Sequence, residues 1–143
     1  MKLFNKILIA NRGEVAVRII LACQKLHIAT VAVYSDADKH SPFVKMADEA
    51  IHIGESPAKD SYLNQAKILQ AALASGADAI HPGFGFLSEN PDFAQQCQSA
   101  NLKFIGPSPD TMVLMSSKSA SKELVGSLDL PVIPGLANPA QDL

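Results

Sequence analysis

The strongest constraint on the fold of this chain is the alternation between short apolar segments and longer segments with helical periodicity. Apolar runs that predict strands lie at Lys6–Ala10, Thr30–Tyr34, Ala50–Ile53, Ala79–His81 and Lys103–Ile105. Several of these runs are apolar at consecutive positions, which is typical of parallel strands covered by helices on both faces. The alternation therefore predicts an α/β fold built on a Rossmann-like, doubly wound parallel sheet.

The segments between the apolar runs carry helical spacing and residues typical of helix ends. Glu14–Leu26 repeats apolar side chains three and four positions apart, which predicts a helix with one buried face. Gly76 is suited to end a helix, and the Asn90–Pro91 pair is suited to begin one. Further helices are predicted at Gln65–Ser75, from Pro91 onward, at Asp110–Met115 and at Ser119–Leu128.

Length and composition agree with one folded domain. The chain has 143 residues, of which 48% are hydrophobic and 18% are charged, and this balance excludes a disordered or low-complexity chain. The segment after Leu130 is rich in proline, as linkers are. We therefore expect one domain over residues 1–130 and a linker over residues 131–143.

The net charge and the two cysteines indicate which partners and which compartment the chain is suited to. Its formal net charge is −2, so we expect no general attraction to nucleic acid or to acidic membranes. Cys23 and Cys97 lie far apart and match no metal-binding spacing, which favours buried thiols in a reducing compartment. The apolar run at residues 7–10 is too short for a signal peptide or a membrane span. These features predict a cytoplasmic domain.

The first candidate site is the turn Ala10–Glu14 (ANRGE), which follows the first predicted strand. In doubly wound sheets this turn is the usual phosphate site. It contains Gly13 but lacks the three-glycine dinucleotide fingerprint, which disfavours a nicotinamide cofactor even though Asp36 follows the second strand, where a ribose-binding acid would lie. The alternative is a tight turn in which Arg12 binds backbone carbonyls or a carboxylate.

The second candidate site is the loop His81–Asn90 (HPGFGFLSEN), which follows the fourth predicted strand. Gly83 and Gly85 permit a sharp turn and a close approach of a ligand to the backbone. Two phenylalanines in one loop indicate either a ring that covers a ligand or a loop folded over its own aromatic side chains, and the residues alone leave both open. His81 has no evident second metal ligand, which favours a hydrogen-bonding role in the structure.

Two further features are less specific. Lys118 lies among serines at a predicted helix start, which fits either a phosphate contact or an ordinary helix N-terminus. On the outer face of the helix predicted at Glu14–Leu26, Val17 and Leu21 accompany Arg18. This surface is either a subunit contact or a solvated face with scattered aliphatic residues.

Several segments carry a family resemblance when they are taken in order. They are KILIANRGEVAVRI, TVAVYSDAD, ADEAIHIG, SYLN, AIHPGFGFLSEN, FIGPSPDTM, SKSASKEL and PVIPG. This set resembles the N-terminal domain of biotin carboxylase over essentially the whole chain, and ANRGE and HPGFGFLSEN are highly specific together. The sequence after Met115 is more similar to the biotin-carboxylase subunit of acyl-CoA carboxylases, such as the methylcrotonyl-CoA enzyme, than to that of acetyl-CoA carboxylase.

The resemblance implies the N-terminal lobe of an ATP-grasp ligase. Enzymes of this family activate bicarbonate with MgATP through carboxyphosphate and carboxylate biotin on a carrier domain. A carboxyltransferase partner then passes the carboxyl group to an acyl-CoA. The resemblance implies that Lys118 contacts ATP, that Phe84 and Gly85 line the biotin side of the site, and that Arg18 and Leu21 lie at a homodimer contact.

The resemblance also implies an incomplete enzyme. In this family the lid, the magnesium ligands, the bicarbonate-binding residues and the general base belong to later parts of the protein, so we expect this chain alone to be inactive and to supply no catalytic residue or metal ligand. Two residues depart from the family pattern. Phe84 replaces a common tyrosine, and Ser116 replaces a usual glycine, at a cost on the order of 1 kcal/mol if φ there is positive.

Two other functions compete with this interpretation. One is a non-catalytic Rossmann-type module that binds a nucleotide or a protein partner. The other is a nicotinamide-dependent enzyme, which the missing glycines disfavour.

Overall fold

The computed structural model describes residues 3–133, apart from the side chain of Lys118. In this part of the chain five strands form one sheet. They are Lys6–Ile9 (β1), Ala29–Ser35 (β2), Glu49–Gly54 (β3), Ala79–His81 (β4) and Lys103–Phe104 (β5). All neighbouring pairs are parallel, and the spatial order is β3-β2-β1-β4-β5. The predicted doubly wound parallel sheet is confirmed.

Helices connect the strands of this sheet. Within residues 3–133 they are Gly13–Lys25 (α1), Pro42–Met46 (α2), Gln65–Ser75 (α3), Pro91–Ser99 (α4), Pro109–Ser116 (α5) and Lys118–Ser127 (α6), and short 3-10 segments lie at Asp36–Asp38 and Ala58–Asp60. Helix α2, whose buried residue is Phe43, was not among the helices predicted from the sequence. No described helix is both long and apolar enough to cross a membrane.

The sheet is buried on both faces, as its apolar strands predict. In β1, Leu8 packs into one core with the side chains of α3, α4 and α5. Ile7 and Ile9 point to the opposite face and pack into a second core with α1 and with Phe43 of α2. This alternation of neighbouring residues between two cores fixes the register of the central strand, since a shift by one residue would exchange the two faces.

The strand order creates a topological switch point between β1 and β4. The chain runs from β1 outward through β2 and β3, and then returns to place β4 on the other side of β1, where Ile9 pairs with His81. Ligands of open α/β sheets bind in the crevice at such a point, beyond the carboxyl ends of the strands. The turn at residues 10–13 and the loop at residues 82–90 both leave the sheet at this edge.

Candidate ligand site at the ends of β1 and β4

The turn after β1 is held by an ion pair. Nε and Nη2 of Arg12 each donate a hydrogen bond of 2.9 Å to a different carboxylate oxygen of Asp38. Of the two partners considered for Arg12 in a tight turn, backbone carbonyls or a carboxylate, the structure shows a carboxylate. Asp38 is 5% exposed and also accepts hydrogen bonds from the hydroxyl of Tyr62, at 2.8 Å, and from that of Ser35, at 3.2 Å. Burial opposes the negative charge, but the hydrogen bonds from Arg12 and Tyr62 outweigh it and lower the pKa of Asp38.

Asp36 does not take part in this cluster. Its carboxylate lies 2.7 Å from Nε2 of His52, and both side chains are about half exposed. The acid that would occupy the ribose position of a dinucleotide site thus forms a surface pair with β3. Together with the missing glycines, this arrangement lacks the features of a nicotinamide site.

Asn11 connects the turn after β1 to the loop after β4. Its side chain is 3% exposed. Nδ2 donates to the carbonyl oxygens of Pro82, at 2.7 Å, and Phe84, at 2.8 Å, while Oδ1 accepts from the backbone N–H of Arg12 at 2.9 Å. The sequence analysis did not single out Asn11. The available signal was an amide side chain placed directly after a buried strand, where a polar group needs internal partners.

The loop after β4 has a tightly specified backbone. Gly83 has φ of +66°, and a Cβ atom at this position would lie 2.6 Å from Cγ1 of Val15 and 2.7 Å from Nδ2 of Asn11, so only glycine fits. The N–H of Gly83 donates to Nδ1 of His81 at 3.1 Å, which confirms the hydrogen-bonding role expected for this histidine. Burial lowers the pKa of His81, which favours the neutral ring that this bond requires.

The two loop phenylalanines have different environments. Phe86 packs within the fold, and a ligand-covering role for Phe84 stays a prediction. Phe86 stacks on the ring of Tyr62, with centroids 5.1 Å apart and an interplanar angle of 17°. Phe84 is 72% exposed. Beside it, Gly85 has φ of +69° and no atom within 4 Å of the position that a Cβ would take. An exposed aromatic ring therefore borders a backbone segment that a ligand can approach.

The predicted interface residue Arg18 and the predicted biotin-side residue Phe84 border the same cavity. This cavity measures about 300 Å³ and lies between α1 and the loop after β4, where Glu14 and His81 also line it. Leu21 is 44% exposed, one turn further along α1. The structure thus brings Phe84 and Arg18 to the same cavity.

The segment between α5 and α6 carries the predicted nucleotide contact. Lys118 is the first residue of α6, and its side chain lies outside the part of the chain that the structure describes. Ser116 is the last residue of α5 and is absent from the positions with positive φ. The backbone strain considered for a serine at this position therefore does not arise. Of the predicted linker at residues 131–143, the structure describes residues 131–133.

Comparisons with known proteins identify the family. The family described as "Biotin carboxylase, N-terminal domain" matches residues 3–112. The mitochondrial methylcrotonoyl-CoA carboxylase subunit alpha of Oryza sativa subsp. japonica is 51% identical over 97% of this chain and 19% of its own length. Biotin carboxylase 1 of Bacillus subtilis (strain 168) is 53% identical over 93% of this chain and 30% of its own length.

Solved structures agree with the sequence relatives. The biotin carboxylase domain dimer of Hydrogenobacter thermophilus 2-oxoglutarate carboxylase, solved with MgADP, ADP and bicarbonate, superimposes with a TM-score of 0.92 at 46% identity, over 99% of this chain and 31% of that one. Biotin carboxylase from Campylobacter jejuni gives a TM-score of 0.90 at 46% identity, over 94% of this chain and 30% of that one. This chain therefore spans a third or less of these relatives, and it belongs to the family of biotin carboxylase N-terminal domains.

Proposed function

We propose that this chain is the N-terminal lobe of a biotin carboxylase that carboxylates carrier-bound biotin with MgATP and bicarbonate. The observation that carries the proposal is the switch-point loop, in which the exposed ring of Phe84 borders the open backbone of Gly85. It lies at the sheet edge where α/β proteins bind their ligands. Because the relatives are at least three times longer, the complete reaction belongs to a longer protein of which this chain forms one part.

The biotin side of the site presents one apolar aromatic face beside an exposed stretch of backbone. The open space above Gly85 lets a ligand lie against the backbone, and the face of Phe84 offers apolar contact. Where the family commonly has tyrosine, Phe84 supplies no hydroxyl. Recognition of polar ligand atoms on this side therefore relies on backbone groups of the loop and on the rest of the enzyme.

We propose that Lys118 contacts the ATP phosphates. The residue begins α6, and a helix N-terminus favours negative charge. The described residues contain no group of three or more His, Cys, Asp or Glu side chains able to hold a metal ion, so we propose that the longer protein supplies the magnesium ligands from other regions. Bound MgATP supplies the phosphoryl group that activates bicarbonate.

We further propose that the longer protein dimerises through the outer face of α1 and acts with a carboxyltransferase subunit. The exposed side chains of Arg18 and Leu21 support this use of α1, and the Hydrogenobacter relative was solved as a dimer. The relatives include a methylcrotonoyl-CoA carboxylase subunit at 51% identity, a biotin carboxylase at 53% and a pyruvate carboxylase subunit at 48%, so these similarities are compatible with more than one acceptor of the carboxyl group. Two free, buried cysteines support a cytoplasmic location.

A transplant experiment tests the proposed function. The 143-residue chain replaces the matching region of the Bacillus subtilis enzyme, and ADP formation is measured with ATP, bicarbonate and free biotin. We expect biotin-dependent ADP formation by the chimaera and none by this chain alone. A folded but inactive chimaera would contradict the proposal.

Calorimetry of the chain alone with MgATP separates the proposal from a self-sufficient nucleotide-binding module. We expect weak or undetectable binding, because one charged hydrogen bond contributes only about 1.5–3 kcal/mol. Micromolar affinity would favour the module instead.

A further inference from the structure

We propose that Asn11 is a positioning residue that holds the Phe84–Gly85 backbone in the geometry that receives biotin. This inference rests on the proposed function. It concerns the one polar side chain from the turn after β1 that bonds to the loop after β4 on both sides of Gly83.

The hydrogen bonds of Asn11 use the whole side-chain amide. A primary amide carries two N–H donors, and here one reaches the carbonyl of Pro82 and the other that of Phe84. The amide oxygen accepts from the N–H of Arg12. These three contacts fix the rotation of the amide, because exchanging its oxygen and nitrogen would set oxygen against two carbonyl oxygens. Aspartate has the same shape but supplies neither donor.

The loop depends on this support because its backbone cannot form a regular ladder. Gly83 and Gly85 are left-handed, and Phe86 adopts φ of +42°, which is unusual for a residue with a side chain. Successive carbonyls therefore point in different directions. Asn11 donates to the carbonyls of Pro82 and Phe84, and the bond to Pro82 is buried, so loss of the amide would leave that carbonyl without its partner.

Asn11 also limits how closely the backbone of Gly83 approaches the turn after β1, because the two are in direct contact. A Cβ built on Gly83 would lie 2.7 Å from Nδ2 of Asn11, so the backbone of Gly83 rests on the amide without an intervening side chain. The amide itself is fixed by the ion pair that holds the preceding turn, since Arg12 donates its N–H to Asn11 and its guanidinium to Asp38. The Asn11 side chain therefore links the backbone around Phe84 to the end of β1, in addition to the Gly83–His81 hydrogen bond and the stacking of Phe86 on Tyr62.

The first test measures order in the loop and needs no activity. Chymotrypsin cleaves after Phe84, which is 72% exposed, when the turn opens. We expect Asn11→Ala to raise the rate of this cleavage at least tenfold. The matched control is Asn64→Ala, which removes an amide whose hydrogen bond caps α3 instead of supporting the loop. Asn11→Ser, which keeps a polar group too short to reach the carbonyls, serves if Asn11→Ala does not fold.

The result is decided by comparison at matched global stability. Urea unfolding of each variant gives the part of the cleavage that passes through complete unfolding. An Asn11 variant whose cleavage after Phe84 rises only as much as its global unfolding, as expected for Asn64→Ala, would overturn the positioning role. Increased cleavage beyond that amount supports it.

The second test uses the active chimaera with the Bacillus subtilis enzyme. We expect Asn11→Asp to raise the KM for free biotin about tenfold while the KM for MgATP changes less than twofold, because only the biotin side of the site is displaced. Equal changes in both constants, or none, would overturn the inference. If the unsubstituted chimaera is inactive, the proposed function fails, and the cleavage experiment still decides whether Asn11 positions the loop.

Discussion

The ion pair between Arg12 and Asp38 gives the sharpest test of how this site is held. We predict that Asp38→Asn lowers the free energy of unfolding at pH 7 by about 2 kcal/mol. Asparagine has the same shape, keeps one acceptor oxygen and turns an N–H₂ group toward the guanidinium. It therefore loses one of the two 2.9 Å bonds from Arg12 together with the ionic character of the other.

The geometry of the pair sets this magnitude. Removing one partner of a fully buried ion pair costs roughly 3–5 kcal/mol, because the other charge stays buried and unpaired. Here the Asp38 side chain is 6% exposed but that of Arg12 is 50% exposed, so the released guanidinium regains water. A charge-assisted hydrogen bond contributes about 1.5–3 kcal/mol, and the expected loss lies within that range.

The pH dependence follows from the lowered pKa of Asp38. A depressed carboxyl pKa stabilises the fold above the pKa of an unfolded aspartate, about 3.9. That stabilisation is lost as pH falls through the lower pKa of the folded state. The free energy of unfolding of the unsubstituted chain should therefore exceed that of Asp38→Asn by its largest amount at pH 7. This excess should become smaller below about pH 4.

Urea unfolding followed by far-UV circular dichroism measures both effects, since the chain has no tryptophan. The matched control is Glu49→Gln, which makes the same chemical change in the exposed Lys6–Glu49 pair and should cost between 0 and about 1 kcal/mol. Equal losses in the two variants, or a difference for Asp38→Asn that stays constant down to pH 3, would refute the reasoning.

Three further predictions concern the loop and the cores. Gly85→Ala should lower the free energy of unfolding by about 1 kcal/mol, because residue 85 has a left-handed backbone. Gly83→Ala should lower it by about 2–4 kcal/mol, because the added Cβ also meets Asn11 and Val15. Equal losses for the two variants in urea unfolding would argue against this close packing. Burial and the hydrogen bond to Asp38 raise the pKa of Tyr62, so ultraviolet titration should show a tyrosine that ionises at a higher pH than a free tyrosine. Tyr62→Phe should remove this late component, and a late component that persists in the variant would contradict the assignment. Burial raises the pKa of Cys97 to about 11, so this thiol should react with a disulfide reagent at pH 8 only at the rate at which the chain unfolds; immediate reaction of the native chain would show an accessible thiol.

Periodicity predicted most of the elements because their side chains face cores. The run Lys6–Ala10 predicted β1, whose Leu8 and Ile9 are fully buried on opposite faces of the sheet. The five-residue helix α2 was missed for the converse reason. Phe43 is its one buried residue while Val44 and Met46 are partly buried, and five residues are too few to show a helical period.

The partners of Arg12 show where sequence reasoning reaches its limit. A carboxylate partner was one of the expected alternatives, but both Asp36 and Asp38 follow β2. The 3-10 turn at Asp36–Asp38 decides between them, since it points Asp38 toward Arg12 and leaves Asp36 on the surface beside His52. Two acids separated by one residue have the same local pattern, so only the turn geometry distinguishes their roles.

The contact between Asn11 and the loop after β4 depends on strand order rather than on any local signal. Asn11 and Phe84 are 73 residues apart and meet because β1 and β4 are neighbours. Strand periodicity gives the number of strands and leaves their order open. Leu8, Ile9 and Ile80 are fully buried where these two strands pair, so separating β1 from β4 would expose both cores. The stable centre of the sheet therefore supports the site. The turn around Phe84 and Gly85 is already ordered before a ligand binds there, so binding does not have to order it.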